Sequence, residues 1–178
     1  MMREVECKIL EVNPTLLMKR LTALGANYKG TKKLVAVHLD TVDKFFSRKR
    51  WVVRLRSDGG QATLTIKRGE INKGGIKSLQ ESEIVLGEFK ASLRVLKKMG
   101  LKPILRLVKS RTSYELNGVK FEIDKYIGKY AHIPAFLEIE AATRAKVLEA
   151  AKKLGYSSKH LKSYDVYDLI RHYSRPGR

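Results

Sequence analysis

The chain has 178 residues, 43% of them apolar, with 37 Lys and Arg against 18 Asp and Glu and a formal net charge of +19. That length suits one domain (1–178) with a real core, and no run of about 18 apolar residues is present to span a membrane. Met1-Met2-Arg3-Glu4-Val5-Glu6 is charged where a secretory signal needs an apolar stretch, and the single cysteine, Cys7, excludes an intramolecular disulfide, so a cytoplasmic protein is expected.

Residues 2–11 alternate apolar and polar, the pattern of a strand with two different faces. Asn13-Pro14 then reads as an N-cap with proline at the first helical position, and Leu16, Leu17, Leu21 and Leu24 form an apolar stripe ending at Gly25. Strand patterns follow at 33–42, 51–57, 61–68 and 79–86, separated by turn signals at Asp58-Gly59-Gly60 and Lys73-Gly74-Gly75. A second helix carries Phe89, Leu93, Leu96 and Met99 and stops at Gly100. Strands at 103–116 and 118–126 meet at Asn117-Gly118, a hairpin signal because both residues tolerate positive φ. A strand at 135–141 precedes a helix capped by Thr143, and a last short helix is expected from near Ser163 with Val166, Leu169 and Ile170 inside. Arg175-Pro176-Gly177-Arg178 reads as a frayed tail. The sum is an α+β domain of about eight strands and four helices.

Residues i and i+2 of a strand share a face about 7 Å apart. On that basis Glu4, Glu6 and Lys8 lie together, as do Arg54 and Arg56, Thr63, Thr65 and Lys67, Glu81 and Glu83, Lys109 and Arg111, Glu122 and Asp124, and Glu138 and Glu140. A water-facing sheet surface would also be charged, but it usually intersperses the signs. Here whole strands are acidic or basic at their centres. Close carboxylates ask for a cation and paired arginines for an anion. Eight strands suffice to close a barrel. Helices would then cover an apolar outside while the charged faces line the interior, which would make a polar tunnel.

These residues resemble the CYTH superfamily, the triphosphate tunnel metalloenzymes. Its first-strand Glu-x-Glu-x-Lys is similar to Glu4-Val5-Glu6-Cys7-Lys8, and the rest follows in order: His38-Leu39-Asp40-Thr41, Val53-Arg54-Leu55-Arg56, Leu64-Thr65-Ile66-Lys67, Arg111-Thr112-Ser113-Tyr114, Phe136-Leu137-Glu138-Ile139-Glu140 and Ser163-Tyr164. Leu39 departs from the usual aromatic residue. Leu79-Gln80-Glu81-Ser82-Glu83 lacks the family's arginine before the acidic pair, for which Lys77 or Arg106 are substitutes. The resemblance implies an eight-stranded antiparallel β-barrel tunnel with a charged interior and helices packed outside, which binds a linear triphosphate and one or two Mg²⁺ or Mn²⁺ ions. It implies metal ligands at Glu4, Glu6, Glu138 and Glu140, with Glu122 and Asp124 completing the acidic wall. Phosphate contacts would come from Lys8, Arg54, Arg56, Lys67 and Arg111, joined by Lys109 and Lys162, and Glu4, Glu6 and Lys8 would carry catalysis.

Two activities fit that resemblance: hydrolysis of terminal phosphate from tripolyphosphate, thiamine triphosphate or a nucleoside triphosphate, as in the inorganic and thiamine triphosphatases, and cyclisation of ATP by class IV adenylate cyclases. Hydrolysis needs fewer special features and is preferred. Phe45, Phe46, Trp51, Tyr126 and Tyr130 are aromatic but read as packing or surface residues. A non-enzymatic polyanion- or RNA-binding protein is the third reading, because an excess of +19 suits RNA or polyphosphate. The four scattered histidines lack zinc spacing, and Cys7 faces away from Glu6 as a core residue. Both monomer and homodimer are compatible with the sequence.

Overall fold

A computed structural model describes residues 2–71 and 74–174, with residues 2, 3, 70 and 71 given by their backbone alone. In chain order the elements are β1 (Met2–Ile9), α1 (Pro14–Ala23), β2 (Asn27–Asp40), α2 (Phe45–Arg48), β3 (Val52–Ser57), β4 (Ala62–Ile71), β5 (Lys77–Val85), α3 (Phe89–Lys98), β6 (Lys102–Leu116), β7 (Val119–Tyr126), β8 (Phe136–Ala141), α4 (Arg144–Lys153), β9 (Leu161–Lys162) and α5 (Val166–Tyr173). The sheet runs β5-β4-β3-β2-β6-β7-β8-β1, and β5 pairs back onto β1 to close an eight-stranded antiparallel barrel. The short β9 continues along the β1 edge that β5 vacates, with Lys8 opposite Lys162. The described helices are not long and apolar enough to cross a membrane.

Alternation produces an inverted barrel. Val5, Cys7, Ile9, Phe121, Ile123, Leu137 and Ile139 point outward into a core built with Leu17 and Leu21 of α1 and Val147 and Ala151 of α4. On another side, Val37, Leu39, Val53 and Leu55 pack beneath Leu96 of α3, with Phe46 of α2 alongside. The opposite faces carry the charges. Leu169 of α5, with Val166 and Ile170, packs on Ala36, Leu107, Tyr126 and Phe136. Tyr126 and Phe136 follow Asp124 and precede Glu138 on the inward faces, so α5 plugs one end of the barrel.

Local signals act as expected in several places. Asn13 accepts from the Leu16 amide, Thr143 from Lys146, and Asn117 and Gly118 both take positive φ. Gly75 has φ +76°, and a Cβ there would lie 2.1 Å from the Leu161 carbonyl oxygen, so only glycine lets the chain before β5 pass β9.

Four boundaries differ from the sequence reading. β2 begins at Asn27, because Asn27–Lys32 pairs with the far end of β6; this stretch is exposed and has no apolar alternation to reveal it. α2 exists because the Asp40 carboxylate accepts from the Thr41, Phe46 and Ser47 amides and from the Ser47 hydroxyl. β9 is two residues long. The last helix begins after Asp165, whose side chain and that of Asp168 cap each other's backbone amides. Lys73 of one expected turn and the tail from Arg175 lie outside the described residues.

Candidate active site

The inward faces enclose a cavity of about 550 Å³. Strand order, not sequence order, decides its chemistry. The neighbours β4, β3, β2 and β6 form one half-circle and contribute Lys67, Arg54, Arg56, Lys32 and Arg111 to the lining. The neighbours β7, β8, β1 and β5 form the other and contribute Glu122, Glu138, Glu140, Glu4, Glu81 and Glu83, with Lys120 as the exception. Leu34 is the one apolar lining residue, and none of the described lining side chains is aromatic.

The two walls touch through ion pairs. Lys67 reaches Glu4 at 2.8 Å and Glu81 at 2.9 Å. Arg111 forks onto Asp124 at 2.7 and 2.6 Å and approaches Glu122 and Glu138, each at 3.6 Å. Beneath the cavity lining, Lys8 bonds Glu138 at 2.9 Å and Glu6 at 3.3 Å, and Lys77 bonds Glu6 at 2.9 Å. Lys109 donates to Asp124 at 2.5 Å. Burial disfavours the Glu138 charge, but Lys8 and Arg111 outweigh it and hold the carboxyl well below its ordinary range. For Lys109 burial and the neighbouring Arg111 prevail, and its ammonium is pulled down to about 8.

Two places are left electrostatically unsatisfied. The first is Arg54. Its guanidinium is only 3.9 Å from Glu81 and 3.4 Å from Thr65, and its Nε is buried with no hydrogen-bond partner. Burial, then Arg56, pull its pKa down to about 10. A cationic donor without an acceptor, beside Arg56, is an anion site by its chemistry. The second is the Glu4–Glu140 pair, whose carboxyls lie within hydrogen-bonding reach of one another even though Lys67 reaches Glu4 at 2.8 Å and Lys120 reaches Glu140 at 2.7 Å. Burial and then the hydrogen bond and charge of Glu4 raise Glu140 to about 7. At Glu4 burial is overcome by Lys67 and the carboxyl stays ionised. Two carboxyls sharing a proton in this way would exchange it for a hard divalent cation. The pair therefore fits Mg²⁺ or Mn²⁺, whose preferred ligands are carboxylate oxygens and water. As the side chains stand, no three His, Cys, Asp or Glu among the described residues gather at one metal-binding point. Glu6, Glu138 and Asp124 are held by lysines and Arg111.

The structure thus brings Glu4, Arg54, Arg56, Lys67, Arg111, Glu122, Glu138 and Glu140 to one cavity, with Glu6, Lys8, Lys109 and Asp124 directly below. Lys162 faces Lys8 across the β1–β9 ladder and is not a lining residue. Neither substitute for the missing arginine takes its place: Lys77 is spent on Glu6 and the Tyr164 carbonyl, and Arg106 is exposed. Lys32, Asp58, Glu81, Glu83 and Lys120 line the cavity without having been in the expected set. Lys120 shares the Glu122 face and was readable from it; Lys32 lies in the stretch of β2 that lacks alternation. The aromatic residues belong elsewhere, Phe45, Phe46 and Trp51 clustering with one another and Tyr126 packing on Tyr130 and Phe136.

A closed barrel with a cationic and an anionic half-wall is a charged tunnel. The chain belongs to the CYTH domain family, whose model matches residues 2–164. It is 26% identical over 153 residues, 83% of this chain and 85% of the other, to the Methanocaldococcus jannaschii protein named "Putative adenylate cyclase MJ0240". The PH1012 protein of Pyrococcus horikoshii OT3 shares the fold, with a TM-score of 0.78, 22% identity, and 93% and 98% of the two chains covered. The HpAC1 protein of Hippeastrum, described as a "putative adenylyl cyclase" with a dominant triphosphatase activity, does so at a TM-score of 0.65 and 16% identity, over 95% of each chain.

Proposed function

We propose that the protein is a divalent-metal-dependent hydrolase that releases terminal phosphate from linear triphosphates, inorganic tripolyphosphate foremost. The observation that carries this reading is the division of the cavity into a cationic and an anionic half. A polyanion on one wall and a metal ion on the other would replace the internal ion pairs. Arg54, whose Nε lacks a partner, and Arg56, Lys67 and Arg111 hold phosphate oxygens in this scheme. Glu4 and Glu140 hold the metal, with Glu6 and Glu138 adjoining. A Mg²⁺ or Mn²⁺ ion bound there supplies phosphate charge neutralisation and acidification of a bound water. Asp124 and Lys109 keep the Arg111 guanidinium in place, and Lys8 does the same for Glu138. Preorganised donors of this kind stabilise charge on a transferring phosphoryl group without reorganising. Lys162 has no part in the scheme.

Adenylate cyclisation is the second reading, and the name of the Methanocaldococcus jannaschii relative favours it. The lining opposes it, since a nucleoside calls for an apolar or aromatic platform and Leu34 is the only apolar residue among the described lining residues. Incubation with Mg²⁺ and tripolyphosphate, thiamine triphosphate or ATP separates the readings. Orthophosphate from tripolyphosphate, abolished by EDTA and by Glu4→Gln or Glu140→Gln, is the expected result. Cyclic AMP with pyrophosphate from ATP would replace it with the cyclase.

A further inference from the structure

Nine basic and nine acidic side chains line the cavity or lie directly beneath it. Of the 37 basic and 18 acidic residues in the chain, 28 basic and nine acidic are therefore not among these described lining and floor residues, and they carry the whole +19. The tunnel does not account for the charge of this protein.

The excess is most one-sided on α3, whose sequence Phe-Lys-Ala-Ser-Leu-Arg-Val-Leu-Lys-Lys has four basic residues and no acidic one. Phe89, Leu93 and Leu96 hold the helix to the barrel. Lys90, Arg94, Lys97 and Lys98 are all exposed and fall within an arc of about 100° on its outer side. None of the four makes an ion pair among the described residues. The nearby Glu88 spends its carboxylate oxygens on the Lys90 and Ala91 amides, and it attracts Lys90 and Arg94 without forming an ion pair with either. The exposed Lys102 and Arg106 of β6, a strand α3 packs on, extend the patch. Helix α4 is different, for there Glu149 pairs with Lys153 at 2.8 Å and also lies close to Lys146.

We propose that the outer face of α3 is a binding site for the sugar–phosphate backbone of single-stranded RNA, separate from the tunnel. Three observations select this partner. Lys90, Arg94 and Lys98 succeed one another with a rise of about 6 Å, comparable to successive phosphates of a ribose–phosphate chain and wider than those of linear polyphosphate. Within the arc itself no apolar residue intervenes; the exposed Val95 begins about 60° past Lys98 with Met99 beyond it, and the exposed Ile104 lies between Lys102 and Arg106 on β6, so it is the helix arc, without that extension, that offers charge alone. A membrane-docking helix would present apolar and basic residues to the same surface. The arc also carries no aromatic residue to stack on bases, so binding rests on phosphate contacts alone, which carry no sequence information.

The test is fluorescence anisotropy with a labelled oligouridylate of about 20 nucleotides, in EDTA, between about 50 and 200 mM salt. The triple variant Lys90→Gln/Arg94→Gln/Lys98→Gln should bind at least about tenfold more weakly at low salt, with a log–log salt slope shallower by about 2. The matched triple Lys146→Gln/Lys152→Gln/Lys153→Gln on α4 should lose less than about a third of that effect on the slope. Thermal unfolding confirms that both variants fold, so the result does not depend on whether the tunnel hydrolyses anything. Equal losses in the two triples would mean a diffuse basic coat and overturn the proposal. Binding to phosphatidylserine vesicles with none to the oligouridylate would overturn it in favour of a membrane surface.

Discussion

Inside the barrel, most charges face an opposite one, Arg54 being the exception, and the paired groups are largely withdrawn from water; the rest of the sequence holds 28 basic residues against nine acidic ones, and those of α3 are exposed. The same side-chain types therefore have opposite consequences. Buried charges are tolerable only because each is paired, so removing one strands its partner. Exposed like charges repel weakly through water and salt, so removing one relieves the rest. The interior arrangement sets the fold and the proposed chemistry, and the exterior one sets what the protein attracts.

The interior half of this contrast gives the largest effects. Glu138→Ala would leave Lys8 and Arg111 without their shared carboxylate in the floor of the cavity. A loss of about 3–5 kcal/mol in urea unfolding is expected, with activity abolished. A loss below about 1 kcal/mol would mean that water reaches these groups and that the network is not a buried one. Arg54 is the interior exception. It makes only long contacts and has an unpartnered Nε, so Arg54→Met should leave stability unchanged or raise it by about 1 kcal/mol. Tripolyphosphate hydrolysis should nonetheless fall by about 10²–10³-fold in kcat. The same variant should lose the rise in Tm that tripolyphosphate gives the wild type. A variant both destabilised and fully active would show that Arg54 serves the fold and not the anion.

The period-two faces were legible in the sequence because each charged set, such as Glu4, Glu6 and Lys8, alternates with core residues that α1 and α4 cover. The resemblance to the CYTH superfamily then fixed their grouping into one tunnel. Residues alone could not have supplied the sorting of cations and carboxylates into two half-walls. That sorting depends on β6 lying beside β2, a pairing across about seventy residues that no local signal encodes. The same pairing explains why Lys32 escaped notice: its stretch of β2 is held by β6 and not by a core. Asp40-Thr41 was legible as a motif but not in its role here, which is to organise the turn into α2.

His38 provides an intermediate test at the plugged end of the tunnel. It is buried, with Nδ1 3.2 Å from the Tyr167 hydroxyl of α5. Burial, then Arg54 and Lys109, press its pKa down from 6.5 to about 4. The folded imidazole is neutral where the unfolded one is protonated, so between those values the unfolded state binds more protons. Stability from this group is complete above pH 6.5 and is lost as pH falls through that window toward 4. Between pH 7 and pH 4 the wild type should lose on the order of 2–3 kcal/mol more than His38→Phe. Parallel pH profiles would show that the imidazole is solvated and that α5 does not seal this end.

The smallest effect has the opposite sign and separates the two regions most cleanly. Lys97 is exposed on α3, with Lys98 beside it and Arg94 one turn before, and has no ion pair among the described residues. Lys97→Gln removes a charge repelled by Arg94 and Lys98 and keeps a good helix former, but it also gives up the attraction of a last-turn cation for the helix C-terminus, so the net rise in stability at low salt should be only about 0.2 kcal/mol. The gain should vanish near 1 M salt, where the Debye length is only about 3 Å. No interior substitution of a paired lysine can behave this way, because salt does not reach Lys8 or Lys77 to replace their carboxylate partners. If urea unfolding shows Lys97→Gln to be destabilising at low salt, the exterior charges are paired after all, and the contrast between the two regions fails there.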